Sequence, residues 1–400
     1  GHEFKAHIFF KASKFWHFTV QVSSNVLDYR HQEGVVRYHE VDSLPEVVKK
    51  LIYEIHDKTK LFFFDIDFFV EKNGNVKVLE WNTSPCPSVF EDQLGKEQLF
   101  TRLAFSDYLP VTISSSEDKT MQEFSHYAQK LGGKILNLQY ESLGVKWDFF
   151  RANGIDVFVV ENSFVLPKRV YHRHSDCDPN SPQGHRIYLL KEFVDSFDDV
   201  IGQTKESHSN WSKPYQIAAT LVPATQAKSS VMRRNIFVPN TVICKGRLNL
   251  EWEFRDWIVK SISGVRSIVV DGGVFEKWDA SNLFSIPVMF QEKMAGPDVR
   301  IHYLDDKMWS VIVEKKNCVD YRYSCSSDDL KSFEPDSEVL EFVADLAKKD
   351  NNRFIGVDFI KTNSAYVCLE SNPGPGWNWF DRNNTTERSL KQWLYQILIS

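Results

Sequence analysis

An internal repeat constrains this chain more than any other sequence feature. The segments "LFFFDIDFFVEKNGNVKVLEWN" and "RFIGVDFIKTNSAYVCLESN" each carry an aspartate in one apolar run and a Glu-x-Asn triplet in the next, with 13 and 12 residues from Asp to Glu. In each copy an Asp-Tyr-Arg triplet lies upstream, and its aspartate precedes the aspartate of the apolar run by 39 residues in the first copy and 38 in the second. Anchors that keep their register over about sixty residues indicate one architecture used twice.

Each copy predicts an antiparallel hairpin, because two apolar runs flank a short polar turn. The aspartates are Asp67 and Asp358, the glutamates Glu80 and Glu370, and the asparagines Asn82 and Asn372. Side chains two residues apart share one face of a strand, so Glu370 and Asn372 are expected to point the same way. Carboxylate and amide oxygens suit Mg²⁺, but surface acids on a hairpin have the same spacing.

Composition and charge argue against several function classes. The net charge is −6 and the basic residues are spread along the chain, so nucleic acid is not the expected partner. No run approaches the roughly 20 apolar residues of a transmembrane helix, and the start lacks a signal peptide, so we expect a cytoplasmic protein without a membrane partner. The six cysteines show no metal-ligand spacing and are typical of reduced thiols.

The length and the 42% hydrophobic content favour two or three domains. After the first copy, "LPVTISSSEDKTMQEFSHYAQKLGGKILNLQY" predicts a strand, a helix capped at the Ser/Asp cluster, a Gly-Gly stop and another strand, as in an α/β layer. We place one boundary near Tyr108–Pro110 and another around Pro223–Ala227. The predicted domains are 1–108, 109–225 and 226–400, the last divided into 226–290 and 291–400.

Three basic residues in apolar surroundings suggest a bound anion. Lys260 ends an apolar strand before a small-residue loop that can approach a phosphate, although a lone strand lysine is usually a solvated edge charge. Arg300 lies inside an apolar strand, and Arg322 belongs to the second Asp-Tyr-Arg triplet. Because burying an arginine without an anion is costly, we expect either a substrate anion or a salt bridge.

Six segments occur in the order found in ATP-grasp ligases: "KSSVMRRNIFVPNT", "DWIVKSISG", "PVMFQEKMAGPDVRI", "CVDYRY", "GVDFI" and "LESNPGPGWNW". They most resemble the branch that contains the ribosomal-protein glutamate ligase RimK and the ligases that cyclise microviridin-type peptides (graspetides). Two upstream segments, "LPVTISSSEDKTMQEFSHYAQKLGGKILNL" and "LPKRVYHRHSDCD", resemble the start of the peptide-cyclising ligases. The resemblance covers about residues 109–400 and implies an α/β fold, with the ATP-grasp domain after a pre-ATP-grasp domain.

The resemblance also implies an activity and its residues. The expected enzyme uses ATP and Mg²⁺ to join a carboxylate to an amine or hydroxyl through an acyl phosphate, on a peptide or amino acid. Lys228 and Lys260 would hold ATP phosphates, and Arg300 and Arg322 would stabilise charge where the acyl phosphate forms. The segment expected to read adenine is Gln291, Glu292, Lys293 and Met294, and the expected metal ligands are Asp358, Glu370 and Asn372.

The first copy leaves alternatives open. Residues 1–108 resemble only the C-terminal lobe of an ATP-grasp module, with Lys5 where Arg300 stands. One hypothesis is a native tandem of two modules, with this chain starting inside the first; the alternative is a degenerate lobe that serves as a packing or homodimerisation platform. For the whole chain, a non-catalytic nucleotide- or peptide-binding module and an ATP-grasp small-molecule kinase are the alternatives to a ligase.

Overall fold

The structure is a computed structural model. It describes residues 2–11, 14–23, 37–83, 85, 87, 90–91, 94, 99–104, 106–152, 155–161, 163–173, 181–197, 199–202, 235–244, 256–262, 269–275, 288–314, 325–349, 351–381 and 389–400. Lys228, Arg322, both Asp-Tyr-Arg triplets and the boundary predicted at 223–227 lie outside the described residues.

The strands in the described ranges are β1 (His2–Lys11), β2 (Lys14–Ser23), β3 (Arg37–Val41), β4 (Phe63–Val70), β5 (Val76–Asn82), β6 (Asp107–Ser114), β7 (Leu136–Gln139), β8 (Trp147–Ala152), β9 (Ile155–Val160), β10 (Ser163–His172) and β11 (Val200–Gly202). They continue with β12 (Ile236–Phe237), β13 (Thr241–Cys244), β14 (Trp257–Ser261), β15 (Val269–Asp271), β16 (Val288–Glu292), β17 (Asp298–Leu304), β18 (Lys307–Val313), β19 (Leu330–Ser332), β20 (Phe354–Lys361) and β21 (Tyr366–Asn372).

The α-helices in the same ranges are α1 (Glu46–Thr59), α2 (Leu99–Ala104), α3 (Lys119–Lys130), α4 (Pro182–Val194), α5 (Gly272–Phe275), α6 (Ser337–Lys349), α7 (Asn378–Asp381) and α8 (Leu390–Ile399). None of the helices described is long and apolar enough to cross a membrane. The chain divides into two compact units, Gly1–Leu109 with Gly144–Pro167, and Pro110–Leu143 with Lys168–Ser400.

The repeat in the sequence is a repeat in the fold. The first copy has the strand order β3-β2-β1-β4-β5, and the second has β19-β18-β17-β20-β21, with β12 added beyond β21. A helix, α1 or α6, precedes the hairpin in each copy. Both predicted antiparallel hairpins are confirmed, and each has a register shift directly after its aspartate, Asp67 or Asp358. The same fold therefore appears twice, down to the position of the bulge.

Helix α6 determines which face of the second-copy sheet carries the polar residues. Its buried side chains Val339, Phe342, Val343 and Leu346 follow a helical period and form an apolar stripe. They pack against odd-numbered residues of β17 and β20, such as Ile301 and Val357. Because strand side chains alternate, the even-numbered residues of these strands point to the opposite face.

The predicted strand-helix-strand segment is confirmed in β6, α3 and β7, where β6 and β7 pair in parallel. Asp118 caps α3, since its Oδ1 accepts a hydrogen bond from Met121 N at 3.1 Å. The helix stops at the two glycines. Gly132 has a φ of +71°, which favours glycine, and a Cβ on Gly133 would come within 2.5 Å of the Tyr395 hydroxyl.

Helix α8 packs into a core shared with α3. Trp393, Leu394 and Leu398 of α8 are buried together with Phe124 of α3 and Trp377. Ser389 starts the helix by accepting from Gln392 N at 3.2 Å. The apolar face of the C-terminal helix is thus part of the core of the larger unit.

Replacing Leu394 with alanine should lower the free energy of unfolding by about 2–5 kcal/mol, because the side chain is fully buried and its removal leaves a cavity. Leu131→Ala is the control, since 53% of Leu131 is exposed and the expected change is within about 0.5 kcal/mol. Urea unfolding followed by circular dichroism measures both variants. Equal effects would contradict the packing of α8.

Candidate active site

Two adjacent rungs of polar residues lie on the face of the second-copy sheet opposite α6, which we call the ladder face. The first rung is Arg300, Asp358 and Glu370, and the second is His302, Gly356 and Asn372. The register of β17, β20 and β21 sets each rung, and the alternation of side chains puts both rungs on one face. The structure therefore brings together four of the residues singled out from the sequence.

The first rung contains a partly buried ion pair. Arg300 Nη1 donates to Asp358 Oδ2 at 2.5 Å, and 6% of the Arg300 side chain and 17% of the Asp358 side chain are exposed. The Phe380 ring centroid lies 5.5 Å from the guanidinium carbon, within the range of a cation–π contact. Of the two expectations for Arg300, the salt bridge is present in this structure, and the role at an acyl phosphate stays a prediction.

The Asn372 amide links the two rungs. Its Nδ2 donates to Asp358 Oδ2 and to Glu370 Oε1, both at 3.3 Å. The three side chains thus meet, as the sequence predicted, with the amide nitrogen between two carboxylates. Turning the amide by 180° exchanges this nitrogen for the carbonyl oxygen at the same place.

The donor set fits a hard divalent cation. Asp358, Glu370 and the Asn372 oxygen supply the carboxylate and amide oxygens that Mg²⁺ prefers. In the part of the chain that the structure describes, no group of three His, Cys, Asp or Glu side chains is arranged to hold a metal ion. The set on the ladder face has two carboxylates, and its third member is an amide.

Gly356 makes room for the ion pair. A Cβ at this position would lie 2.4 Å from Arg300 Nη2 and 2.7 Å from Pro375 Cβ. Only a residue without a side chain lets the guanidinium and the proline ring occupy this space. The glycine in "FIGVDF" is therefore a packing requirement of the ladder face.

His302 is a member of the site that sequence reasoning missed. It is fully buried, and its Nε2 lies 3.3 Å from Gly376 O and 3.4 Å from Arg300 Nε. Burial first, and then the charge of Arg300, lowers its pKa well below the usual value, so the ring is neutral. The repeat contained the signal, because a histidine follows both Lys5 and Arg300 by two residues.

Lys260 and Gln291 meet in a separate four-stranded sheet of the order β13-β16-β14-β15. Lys260 Nζ donates to Gln291 Oε1 at 2.6 Å, and both residues are buried. The neutral amide oxygen helps to hold a buried ammonium group, which is costly without polar contacts. The structure thus joins two predicted nucleotide contacts, but their binding of ATP stays a prediction.

The rest of the predicted adenine-reading segment lies where the chain leaves this sheet. Glu292 ends β16 and accepts from Asn240 Nδ2 at 2.7 Å. Lys293 pairs with Asp271 at 2.6 Å, and this hydrogen bond lowers the pKa of Asp271. Met294 follows, half-buried, in the connection to β17. The segment therefore runs from the end of β16 into the connection to β17, and its contact with adenine stays a prediction.

The first copy has the same rungs with different charges. Lys5, Asp67 and Glu80 form one rung, and His7, Asp65 and Asn82 form the other. Asp65 thus stands in the place of Gly356, and its Oδ2 lies 3.3 Å from Lys5 Nζ. Lys5 Nζ also donates to Asp67 Oδ1 at 2.8 Å. One ammonium group is therefore in contact with two carboxylates.

Burial changes the protonation of this cluster. It raises the pKa of Asp67 to about 6, although Lys5 lowers it, and Asp65 and Glu80 add to the rise. Burial, with a smaller effect of Lys5, lowers the pKa of His7 to about 3, so His7 is neutral. The pKa of Lys5 is raised, because the two aspartates outweigh its burial. Lys5 stays charged, and Asp67 titrates at about pH 6.

Several solved structures resemble this chain, among them two named as ATP-grasp ligases and one named as a macrocyclase. The ATP-grasp ligase PsnB complexed with minimal precursor is 20% identical, with a TM-score of 0.54, and the match covers 73% of this chain and 99% of that chain. The macrocyclase MdnC from Microcystis aeruginosa MRC, bound with precursor peptide MdnA, is 13% identical, with a TM-score of 0.55, and the match covers 73% of this chain and 100% of that chain. A Chryseobacterium gregarium RiPP-associated ATP-grasp ligase in complex with ADP and a leader and core peptide is 16% identical, with a TM-score of 0.55, and the match covers 73% of this chain and 95% of that chain.

The chain has the ATP-grasp fold. No family model and no curated protein matches the sequence. The expected fold class, α/β with an ATP-grasp architecture, is confirmed by these structures, which the chain covers almost completely. Within this ATP-grasp fold, β17–β21 carry the ladder face and β13–β16 carry Lys260 and Gln291.

Replacing Gly356 with alanine should lower the free energy of unfolding by about 1–3 kcal/mol, because the new Cβ displaces Arg300 and Pro375. Gly376→Ala is a matched control, since a Cβ there meets nothing within 4 Å and neither glycine has a positive φ. Urea unfolding compares the two variants. A Gly356→Ala variant as stable as Gly376→Ala would refute the role assigned to Gly356.

The first copy should become less stable as the pH rises from about 4 to 6. Over this interval folded Asp67, with a pKa of about 6 against the usual 3.8, keeps a proton that the unfolded chain has released, so its contribution is lost as the pH passes 6. In Asp67→Asn, the free energy of unfolding should fall by on the order of 1 kcal/mol less between these pH values than it does in the wild-type chain. Urea unfolding at several pH values tests it, and an unchanged slope in the variant would disprove it.

Proposed function

We propose that this protein is an ATP- and Mg²⁺-dependent ligase that activates a carboxylate as an acyl phosphate and joins it to an amine or hydroxyl. The observation that carries the proposal is the meeting of Asp358, Glu370 and Asn372 beside Arg300 on one face of an ATP-grasp fold. This set combines metal-binding oxygens with a cation, as phosphoryl transfer requires.

The proposed reaction has two steps. A substrate carboxylate oxygen attacks the γ-phosphorus of ATP and ADP leaves; the amine or hydroxyl then attacks the acyl carbon, and phosphate leaves with loss of one proton to solvent. Asp358, Glu370 and Asn372 would hold Mg²⁺, which neutralises phosphate charge. Arg300 and Arg322 would stabilise the transferring phosphoryl oxygens, so most of the rate enhancement would come from positioning and charge.

The nucleotide would lie against the Lys260 sheet. We propose that Lys228 and Lys260 contact its phosphates and that Gln291, Glu292, Lys293 and Met294 contact adenine. The burial of Lys260 supports this, since a buried ammonium group interacts strongly with an anion. The ligase would consist of a pre-ATP-grasp domain, 109–225, and an ATP-grasp domain, 226–400, and would act in the cytoplasm.

A peptide is the substrate we favour. The names of the similar structures record precursor, leader and core peptides bound to two ATP-grasp ligases and a macrocyclase. Those ligases and this chain share the fold at 13–20% identity, so the peptide class is our proposal for this protein. The first copy takes no part in the proposed reaction, and its Lys5 pairs with both aspartates of its rungs.

Nucleotide binding tests the proposed function. Titration calorimetry with an unhydrolysable ATP analogue and Mg²⁺ should show one binding event, and Glu370→Gln should weaken it at least about tenfold, because a metal ligand loses its charge. Asn372→Ala should weaken it similarly, and both variants should abolish turnover.

Glu80→Gln is the matched control, since Glu80 has the place of Glu370 in the first copy. We expect it to bind the nucleotide as the wild-type chain does. Equal loss in Glu370→Gln and Glu80→Gln would refute a single complete site in the second copy. If the chain binds the nucleotide tightly but releases no phosphate from ATP with any pair of carboxylate and amine substrates tried, the result would favour a non-catalytic module instead.

A further inference from the structure

The loop that follows Asn372 is held by its carbonyl oxygens. Its sequence, Pro373–Gly376, offers two prolines without an N–H group and two glycines without a side chain. A loop of this composition has few ways to be fixed other than through its C=O groups. Its position matters, because it continues directly from the Asn372 amide on the ladder face.

Three side chains from other parts of the chain contact the carbonyl oxygens of this loop. Asn352 Nδ2 donates to Pro373 O at 3.1 Å, and His302 Nε2 lies 3.3 Å from Gly376 O. Arg173 Nη1 donates to Gly374 O at 3.3 Å and also to Pro375 O. Each of the four carbonyl oxygens thus lies within 3.3 Å of a side-chain nitrogen.

Arg173 is itself fixed from outside the second-copy sheet. It directly follows β10, its backbone N–H donates to Ile113 O at 2.9 Å, and its Nε donates to Asp118 Oδ2 at 2.7 Å. Only 12% of its side chain is exposed. Asp118 also caps α3, so the guanidinium connects the β6–α3 turn to the loop.

We propose that Arg173, oriented by Asp118, is a positioning residue that fixes the Pro373–Gly376 loop and, through it, the Asn372 amide. The inference rests on the proposed function because it assumes that Asn372 helps to bind the metal ion of the nucleotide complex. His302 also contacts Arg300 of the ladder face. In the described part of the chain, the polar partners of Arg173 are instead the loop carbonyls, Ile113 O, Asp118 and Tyr171. Removing Arg173 therefore loosens the loop without changing the rungs.

Two measurements on the full chain test the proposal. In the first, hydrogen exchange followed by mass spectrometry on the free protein should show amides of residues 374–378 exchanging about tenfold faster in Arg173→Met. In the second, electron paramagnetic resonance with Mn²⁺ and ADP should show about tenfold weaker Mn²⁺ binding, the usual size of an outer-sphere effect. Asp118→Asn, which keeps the Oδ1 cap, and Arg173→Lys should each have smaller effects of the same sign.

Arg169→Met is the matched control. Arg169 lies on β10, the strand that Arg173 directly follows. It pairs with Asp199 at 2.7 Å and donates to the backbone carbonyl of Ile397, so it is bonded to α8 and not to the loop. We expect it to lower the melting temperature at least as much as Arg173→Met while leaving loop exchange and Mn²⁺ affinity within twofold of the wild type.

The outcomes separate the positioning role from the proposed function. Unchanged exchange at 374–378 in Arg173→Met, or an unchanged Mn²⁺ affinity in a protein that binds Mn²⁺ and ADP, overturns the inference. If the wild-type chain binds no Mn²⁺ and ADP, the proposed function is overturned. If the loop of Arg173→Met nevertheless exchanges faster than that of the wild-type chain, the result supports the hold of Arg173 on the loop. Equal effects of Arg173→Met and Arg169→Met indicate general destabilisation and also overturn the inference.

Discussion

The ion pair between Arg300 and Asp358 is the interaction on which the candidate active site depends. It joins β17 to β20 in a largely buried position, where a charge without a partner would be costly. Gly356 leaves space for the guanidinium, Phe380 covers it, and Asn372 donates to the same aspartate. A metal ion and a phosphate would both meet a face whose charges are already arranged, which is the condition for electrostatic catalysis.

The two copies show how one sheet can carry different electrostatics. Both have the same strand order and the same bulge after the aspartate, so their backbones place six residues in matching rungs. The second copy has an arginine and a glycine where the first has Lys5 and Asp65. In the first copy, burial, with a smaller effect of the neighbouring carboxylates, raises the pKa of Asp67 to about 6, whereas the second copy has room for its larger guanidinium.

Much of the site was predictable because it rests on local periodicity. The two-residue period of a strand predicts that Glu370 and Asn372 share a face, and the apolar run around Asp358 predicts its strand. The pairing of Lys260 with Gln291 was not predictable, since it depends on the register of two strands 31 residues apart. Arg173 was visible only as part of a resemblance, because its partners Asp118 and Pro375 are 55 and 202 residues away.

By itself, the sequence determined the repeat, the hairpins, the α/β segment after the first copy and the oxygen-rich character of the second hairpin, because each depends on residues close together in the chain. The tertiary structure decided which acid pairs with Arg300, that Gly356 must lack a side chain and that Arg173 holds the loop after Asn372. These three depend on the distance between groups brought together by sheet pairing and core packing, and a local pattern contains no information about that distance.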